Sequence, residues 1–255
     1  MYRKSIFVLL LVCFVWLALN IQKSQRKTSH HPPMQSSSAG DTGKANSLNR
    51  QSELKAAVSS QRPVKSMSDT LRIVPTGSIA GHDYVDLGLS VKWATCNVGA
   101  ISPSDHGNYY AWGETSSKSE YTKENSVTYK KNFKDNIAGK SRYDAVRANW
   151  GGSWRLPTKA EIEELLNNCR TRWCTYNGHE GLFVTGPNVK SIFLPAAGLC
   201  YGSSLYNEGE TGYYWSSAPY ESGAESAYYL NFDHDGFCIG WGRCYYGRTV
   251  RPVSE

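Results

Sequence analysis

Between residues 22 and 80 there is no Trp, Tyr, Phe or Cys, whereas seven of the eight Trp and sixteen of the seventeen Tyr follow residue 80. A segment without large apolar side chains cannot bury enough surface to offset its chain entropy. Residues 22–80 therefore read as a disordered tether, and residues 81–255 as the folded domain. The domain also holds twenty of the twenty-three Gly and six of the seven Cys. Rings with turn formers are what a loop-rich, strand-containing domain needs.

Charge divides at the same place. The first 80 residues carry eleven Lys/Arg against three Asp/Glu, and the rest carry seventeen against nineteen. The formal net charge of +6 thus belongs to the tether. A duplex-binding domain would carry its Lys/Arg on the folded surface, so nucleic acid is not expected as a partner. A basic arm instead suits an anionic membrane surface.

Residues 1–21 read as an export signal or an N-terminal membrane anchor. Arg3 and Lys4 precede an apolar run from Ile6 to Leu19, and Lys23, Arg26 and Lys27 follow it. As a helix, residues 6–21 would span roughly 24 Å, short of a ~30 Å hydrocarbon core, so an uncleaved anchor needs snorkelling or bilayer thinning. The expected location is extracytoplasmic, in the periplasm or at the cell surface, secreted or membrane-anchored through residues 6–21. His30 and His31 lie side by side in the arm, where a solvated pair is ordinarily inert.

Within 81–255, His82–Leu87 and Val91–Thr95 flank Gly88-Leu89-Ser90 and predict a hairpin. Residues 113–140 are polar and Lys-rich, a long surface loop. Thr158 with Glu161 three residues on forms a capping box, and Ile162, Leu165, Leu166 and Cys169 make one apolar helical face. Strand-like runs follow at Leu182–Thr185, Ser191–Leu194, Tyr213–Ser216, Ala227–Phe232 and Thr249–Val253. In Ala227–Phe232, Tyr228, Leu230 and Phe232 alternate with Tyr229 and Asn231. Many strands with one or two helices and long loops predict an α+β domain on antiparallel ribbons.

Several blocks carry a family resemblance. They include Tyr84-Val85-Asp86-Leu87-Gly88-Leu89-Ser90-Val91-Lys92-Trp93-Ala94, Tyr110-Ala111-Trp112-Gly113-Glu114, Trp150-Gly151-Gly152-Ser153-Trp154-Arg155-Leu156-Pro157-Thr158 and Val250-Arg251-Pro252-Val253. Together they resemble the Fibrobacter succinogenes major paralogous domain across essentially all of residues 81–255. The resemblance implies a C-type-lectin-like fold, in the clan that also holds the formylglycine-generating enzymes. It implies fold and compartment but no general activity.

The sequence contains no H-E-x-x-H, G-x-S-x-G, Walker A or C-x-x-C motif. His82, His106, His179 and His234 are scattered, none at ligand spacing with another. Cys238 and Cys244 lie where the formylglycine-generating family carries its reactive pair, but six positions apart rather than five. An oxidase using them is the alternative to a binding function, as is a purely structural envelope protein. Six domain cysteines in an exported chain favour disulfides, with Cys96–Cys169 the first candidate. Zinc lacks its close paired ligand spacing, so no metal ligands are assigned. Asn231-x-Asp233-x-Asp235-Gly236 copies the start of a calcium loop, but Gly242 stands where the bidentate carboxylate belongs. Calcium support is therefore weak, and no cofactor is expected. Trp93, Trp112, Trp150, Trp154 and Trp215 fall within the resembling blocks and read as framework. Tyr206, Tyr220, Phe237, Trp241 and Tyr245 lie between blocks, in expected loops. They are the candidate residues of a non-enzymatic display domain that binds a glycan or protein ligand.

Overall fold

The computed structural model describes residues 72–255. The export or anchor segment, His30, His31 and the arm up to residue 71 lie outside the described residues. Among the described residues no helix is long and apolar enough to cross a membrane.

Among the described residues twelve strands make four antiparallel sheets. The first has the order β1 (Gly77–Ile79), β2 (His82–Val85), β3 (Lys92–Ala94) and, from the far end of the chain, β12 (Val253–Ser254). The second runs β4 (Arg170–Tyr176), β5 (His179–Thr185), β6 (Ser191–Pro195). The third is the hairpin β7 (Leu199–Tyr201) with β8 (Ser204–Tyr206). The fourth places β10 (Ser226–Asp233) between β9 (Gly212–Pro219) and β11 (Gly236–Arg243). Among the described residues the helices are α1 (Ala145–Trp150) and α2 (Lys159–Asn168), six and ten residues long.

This architecture corrects the expected α+β, C-type-lectin-like domain. The described chain is β-rich, built from small antiparallel sheets, and two such short helices cannot make a layer of their own. The apolar period in α2 runs barely three turns before β4 begins at Arg170. Strand β1 forms within the stretch expected to end the tether, where the Ile79 carbonyl accepts from Trp154 Nε1 at 2.9 Å.

Local signals act at the positions that carry them. β2 and β3 pair as Tyr84 with Ala94 and Val85 with Trp93, the expected hairpin with shorter strands. Thr158 caps α2, accepting from the Glu161 N–H at 3.2 Å while Glu161 Oε2 accepts from the Thr158 N–H at 2.7 Å. Glu161 also takes a two-pronged contact from Arg155, 2.9 and 2.7 Å long. Burial alone would raise the Glu161 carboxyl, but hydrogen bonds from Arg155 and Thr158 outweigh it and hold it below its ordinary value of 4.5. A depressed folded pKa gives stability that is present above the unfolded value and lost as pH falls through the folded one. Glu161→Gln should therefore lower the melting temperature more at pH 7 than at pH 3. An equal loss at both would exclude an ionic role.

Two cores sit on opposite faces of the β9–β10–β11 sheet. Tyr214, Leu230 and Phe232 pack with Val85, Ile162, Leu165 and Phe193 in one. Tyr213, Trp215, Ala227 and Tyr229 pack with Trp112, Val146, Trp154 and Val250 in the other. The alternation in β10 thus separates two interiors rather than core from solvent. Of the five framework tryptophans, Trp93, Trp112, Trp154 and Trp215 are buried, and Trp150 is half-buried, stacked on His82 at 3.7 Å.

Candidate functional site: an aromatic band on the edge sheet

Strand β11 alternates bulk with its absence. On one face stand Phe237, Ile239, Trp241 and Arg243; on the other stand Cys238, Gly240 and Gly242. The glycines are required by their neighbours. A Cβ at Gly240 would meet the Tyr229 ring at 2.9 Å, and one at Gly242 would meet Arg248 Nη2 at 2.7 Å. Arg248 is buried, its guanidinium 3.8 Å from the Tyr229 ring centre and 4.1 Å from that of Trp215. The small face therefore lets β11 lie close over a cation held between rings, while on the other face Ile239 packs against the first core and Phe237, Trp241 and Arg243 are exposed.

Two ring groups lie along and beyond β11. Trp241, 41% exposed, stacks on Tyr220 with centroids 4.6 Å apart and planes 10° apart. Tyr228, opposite Trp241 in the ladder, meets Tyr220 edge-on at 5.4 Å. Its hydroxyl donates to Glu221 Oε2 at 2.6 Å, and Lys159 Nζ sits 4.2 Å from its ring centre. Tyr220 is placed by the β9–β10 connection, where its N–H donates to the Ser226 carbonyl at 3.0 Å.

The second group lies beyond the end of β11. Tyr245 contacts Tyr246 at 5.0 Å, Tyr129 at 5.5 Å and Tyr201 at 6.3 Å. Tyr201 is 48% exposed and also meets Tyr246 at 5.2 Å. Between the groups, Arg243 Nη1 pairs with Glu225 Oε2 at 2.5 Å, and Glu225 also faces Tyr129. The surface thus runs from Trp241 with Tyr220, through an Arg–Glu pair, to a tyrosine cluster.

Of the five aromatic residues singled out in the sequence, the structure joins Tyr220 to Trp241 and sets Tyr245 among tyrosines. Tyr206 and Phe237 are exposed, on β8 and β11, and take part in no ring pair among the described residues. Phe237 and Trp241 belong to a strand, not to the loops expected for them. Tyr129, Tyr201 and Tyr246 join the cluster without having stood out in the sequence. The Tyr245-Tyr246 doublet is the one local hint of it, because its other members are remote along the chain.

A separate bowl of about 360 Å³ is lined by Glu114, Lys118, Lys131, Arg142 and Tyr143. Its one carboxylate is already engaged, because Glu114 accepts from the Val127 N–H at 2.8 Å and pairs with Lys118 at 2.7 Å. Glu114 thereby pins the long loop.

No disulfide links the six described cysteines, so the Cys96–Cys169 bridge is corrected. Cys96 lies beyond β3 with Sγ 3.5 Å from Thr95 Oγ1, whereas Cys169 caps the end of α2. Burial, with Glu164 adding to it, pushes the Cys169 thiol up to about 11. Cys238 pairs with Asn231 in the ladder, and Cys244 is buried, its thiol pushed up to about 12 by desolvation. A nucleophilic thiol requires the opposite shift. The calcium-like stretch forms the β10–β11 hairpin tip. There Asp233 Oδ1 accepts from the Asp235 and Gly236 N–H groups at 2.8 and 3.2 Å, and Gly242 lies within β11. Two histidines that are scattered in sequence do meet: the His106 and His179 rings are 5.3 Å apart.

Residues 183–253 match the model of a domain of unknown function (DUF8237). The matched segment includes β9, β10 and β11, and hence the scaffold of the band. No curated protein and no solved structure matches the chain.

Proposed function

We propose that this chain is an exported or membrane-tethered display domain that binds a glycan chain along the aromatic band of β11. The observation that carries this reading is the exposed Tyr220–Trp241 stack, followed at Arg243–Glu225 by an ion pair and then by the tyrosine cluster. Sugar rings present apolar C–H faces and a hydroxyl rim. Flat aromatic rings complement the faces, and a charged pair between them offers both a donor and an acceptor to the rim. Export rests on the basic and apolar segment at residues 1–21, and kinship with the paralogous domain rests on the sequence blocks that resemble it.

The test is an array of neutral and acidic oligosaccharides of three or more hexose units, probed with the full chain. Trp241→Ala and Tyr245→Ala should each weaken retained ligands by about tenfold or more, as loss of a central ring does at a binding surface. Retention of no oligosaccharide by the wild type, or equal retention by both variants, overturns the reading.

A further inference from the structure

We propose that His106 and His179 together bind a divalent late transition-metal ion such as Zn²⁺ or Cu²⁺, with Glu208 holding the His106 ring from outside the coordination shell. This site is separate from the aromatic band, and it does not depend on glycan binding.

Three remote segments build it. His179 opens β5 after the two-residue turn Asn177-Gly178, whose φ values of 50° and 85° are those of a tight hairpin, so its position is set by the β4–β5 register. His106 lies in the loop after β3. The Asn97 Nδ2 amide donates to the His106 carbonyl at 2.8 Å, and Asp105 Oδ2 accepts from the Ser102 N–H at 2.9 Å, closing the turn beneath it. Glu208 belongs to the β8–β9 connection and places Oε1 3.3 Å from His106 Nδ1.

The ring separation lies in the ordinary range of an edge-to-face pair and also admits two imidazoles on one ion. With metal–nitrogen bonds of about 2.0–2.1 Å, each ring centre stands about 3.2 Å from the metal, and a tetrahedral angle then separates the two centres by about 5.2 Å. The observed separation is 5.3 Å, with the ring planes at 80°.

Glu208 is assigned outside the shell for a geometric reason. Among the described residues only Asp233, His234 and Asp235 bring three ligand atoms within 4.8 Å of one another, so Glu208 does not complete a compact triad. Accepting a hydrogen bond from His106 Nδ1–H instead leaves Nε2 as the ligand atom and fixes the tautomer, the usual arrangement of a carboxylate behind a ligating histidine. Water would fill the remaining positions. The His106 side chain is 17% exposed and that of Glu208 58%, so an ion can reach the pair from solvent.

Metal-free full-length chain carrying His30→Ala and His31→Ala, so that the arm cannot answer, would be titrated with ZnCl₂ by calorimetry at pH 7.5. The same protein loaded with one equivalent of Cu²⁺ would be examined by electron paramagnetic resonance. One equivalent of Zn²⁺ should bind, and the copper spectrum should show coupling to two imidazole nitrogens. His106→Ala and His179→Ala should each weaken Zn²⁺ binding by about a hundredfold, and Glu208→Gln by about tenfold, as outer-shell changes do. His234→Ala should leave it unchanged. Coupling to no imidazole, or to one, in the copper spectrum overturns the proposal, even if a variant fails to fold. Loss of binding in His234→Ala also overturns it by moving the ion to the hairpin tip.

Discussion

Replacing Arg251 with alanine is expected to destabilise the domain by about 3–5 kcal/mol, the scale set by breaking a buried charged hydrogen-bond network. Arg251 is buried, yet among the described residues no carboxylate meets its guanidinium. Its donors are instead distributed over main-chain and amide oxygens. Nε donates to Asn97 Oδ1 at 2.8 Å, Nη1 to the carbonyls of Ala94 and Thr95 at 3.0 and 2.6 Å, and Nη2 to that of Phe193 at 2.8 Å. These acceptors belong to the end of β3, the turn after it, and β6, so one side chain joins two sheets. Asn97 extends the network to the Tyr214 hydroxyl, which donates to the Pro195 carbonyl at 2.7 Å. Desolvation works against the charge and lowers the Arg251 pKa, which offsets part of the gain from four charge-assisted bonds. Truncation removes all four donors at once and leaves buried acceptors without partners. The melting temperature of the full chain should fall by about 10 °C. Arg251→Lys should recover little, because a single ammonium cannot reach acceptors spread over a planar fork. A lysine variant as stable as wild type would show that charge, not geometry, is what matters.

Asp144→Ala should cost about 3 kcal/mol, by the reverse logic of one acceptor group serving many donors. Asp144 is buried and caps α1, with Oδ1 accepting from the Val146 and Arg147 N–H groups at 2.8 and 3.1 Å. Its other oxygen accepts from Gly139 at 2.6 Å and Leu156 at 3.0 Å. A single carboxylate therefore ties the end of the long loop, the first turn of α1 and the segment leading into α2. Alanine orphans four N–H groups, two of them, on Val146 and Leu156, fully buried. Asp144→Asn keeps one oxygen but turns an NH₂ toward two of the donors, so its stability should fall between wild type and alanine. Urea midpoints at pH 7 would check the order. Asparagine matching wild type would sink the four-donor account.

Helix α2 is legible in the sequence because its signals are adjacent: a Thr158 cap, Glu161 three residues on, and an apolar face repeating over ten residues. Helix α1 is not. It is bracketed by a capping Asp144 and a positive-φ Gly151, but six residues are too few for a period to show. The alternation of β10 is plain in its residues, yet alternation cannot say whether both faces are covered. In the folded chain both are, by side chains drawn from Ile73 through to Val253.

The same distinction runs through the site. That Trp241, Tyr220 and Tyr245 are large rings amid turn formers is visible in the sequence. That Trp241 stacks on Tyr220 follows from a ladder register and from a loop hydrogen bond that seats Tyr220 beside β11. His106 and His179 are seventy-three positions apart and meet edge to face only because a hairpin and a pinned loop arrive at one place. The sequence by itself determined the charge division, the capped helix and the first hairpin, because composition, caps and turns act between near neighbours. Only the tertiary structure decided which rings, histidines and buried charges share a site. Those associations depend on packing between segments far apart in the chain, and on the desolvation that packing imposes.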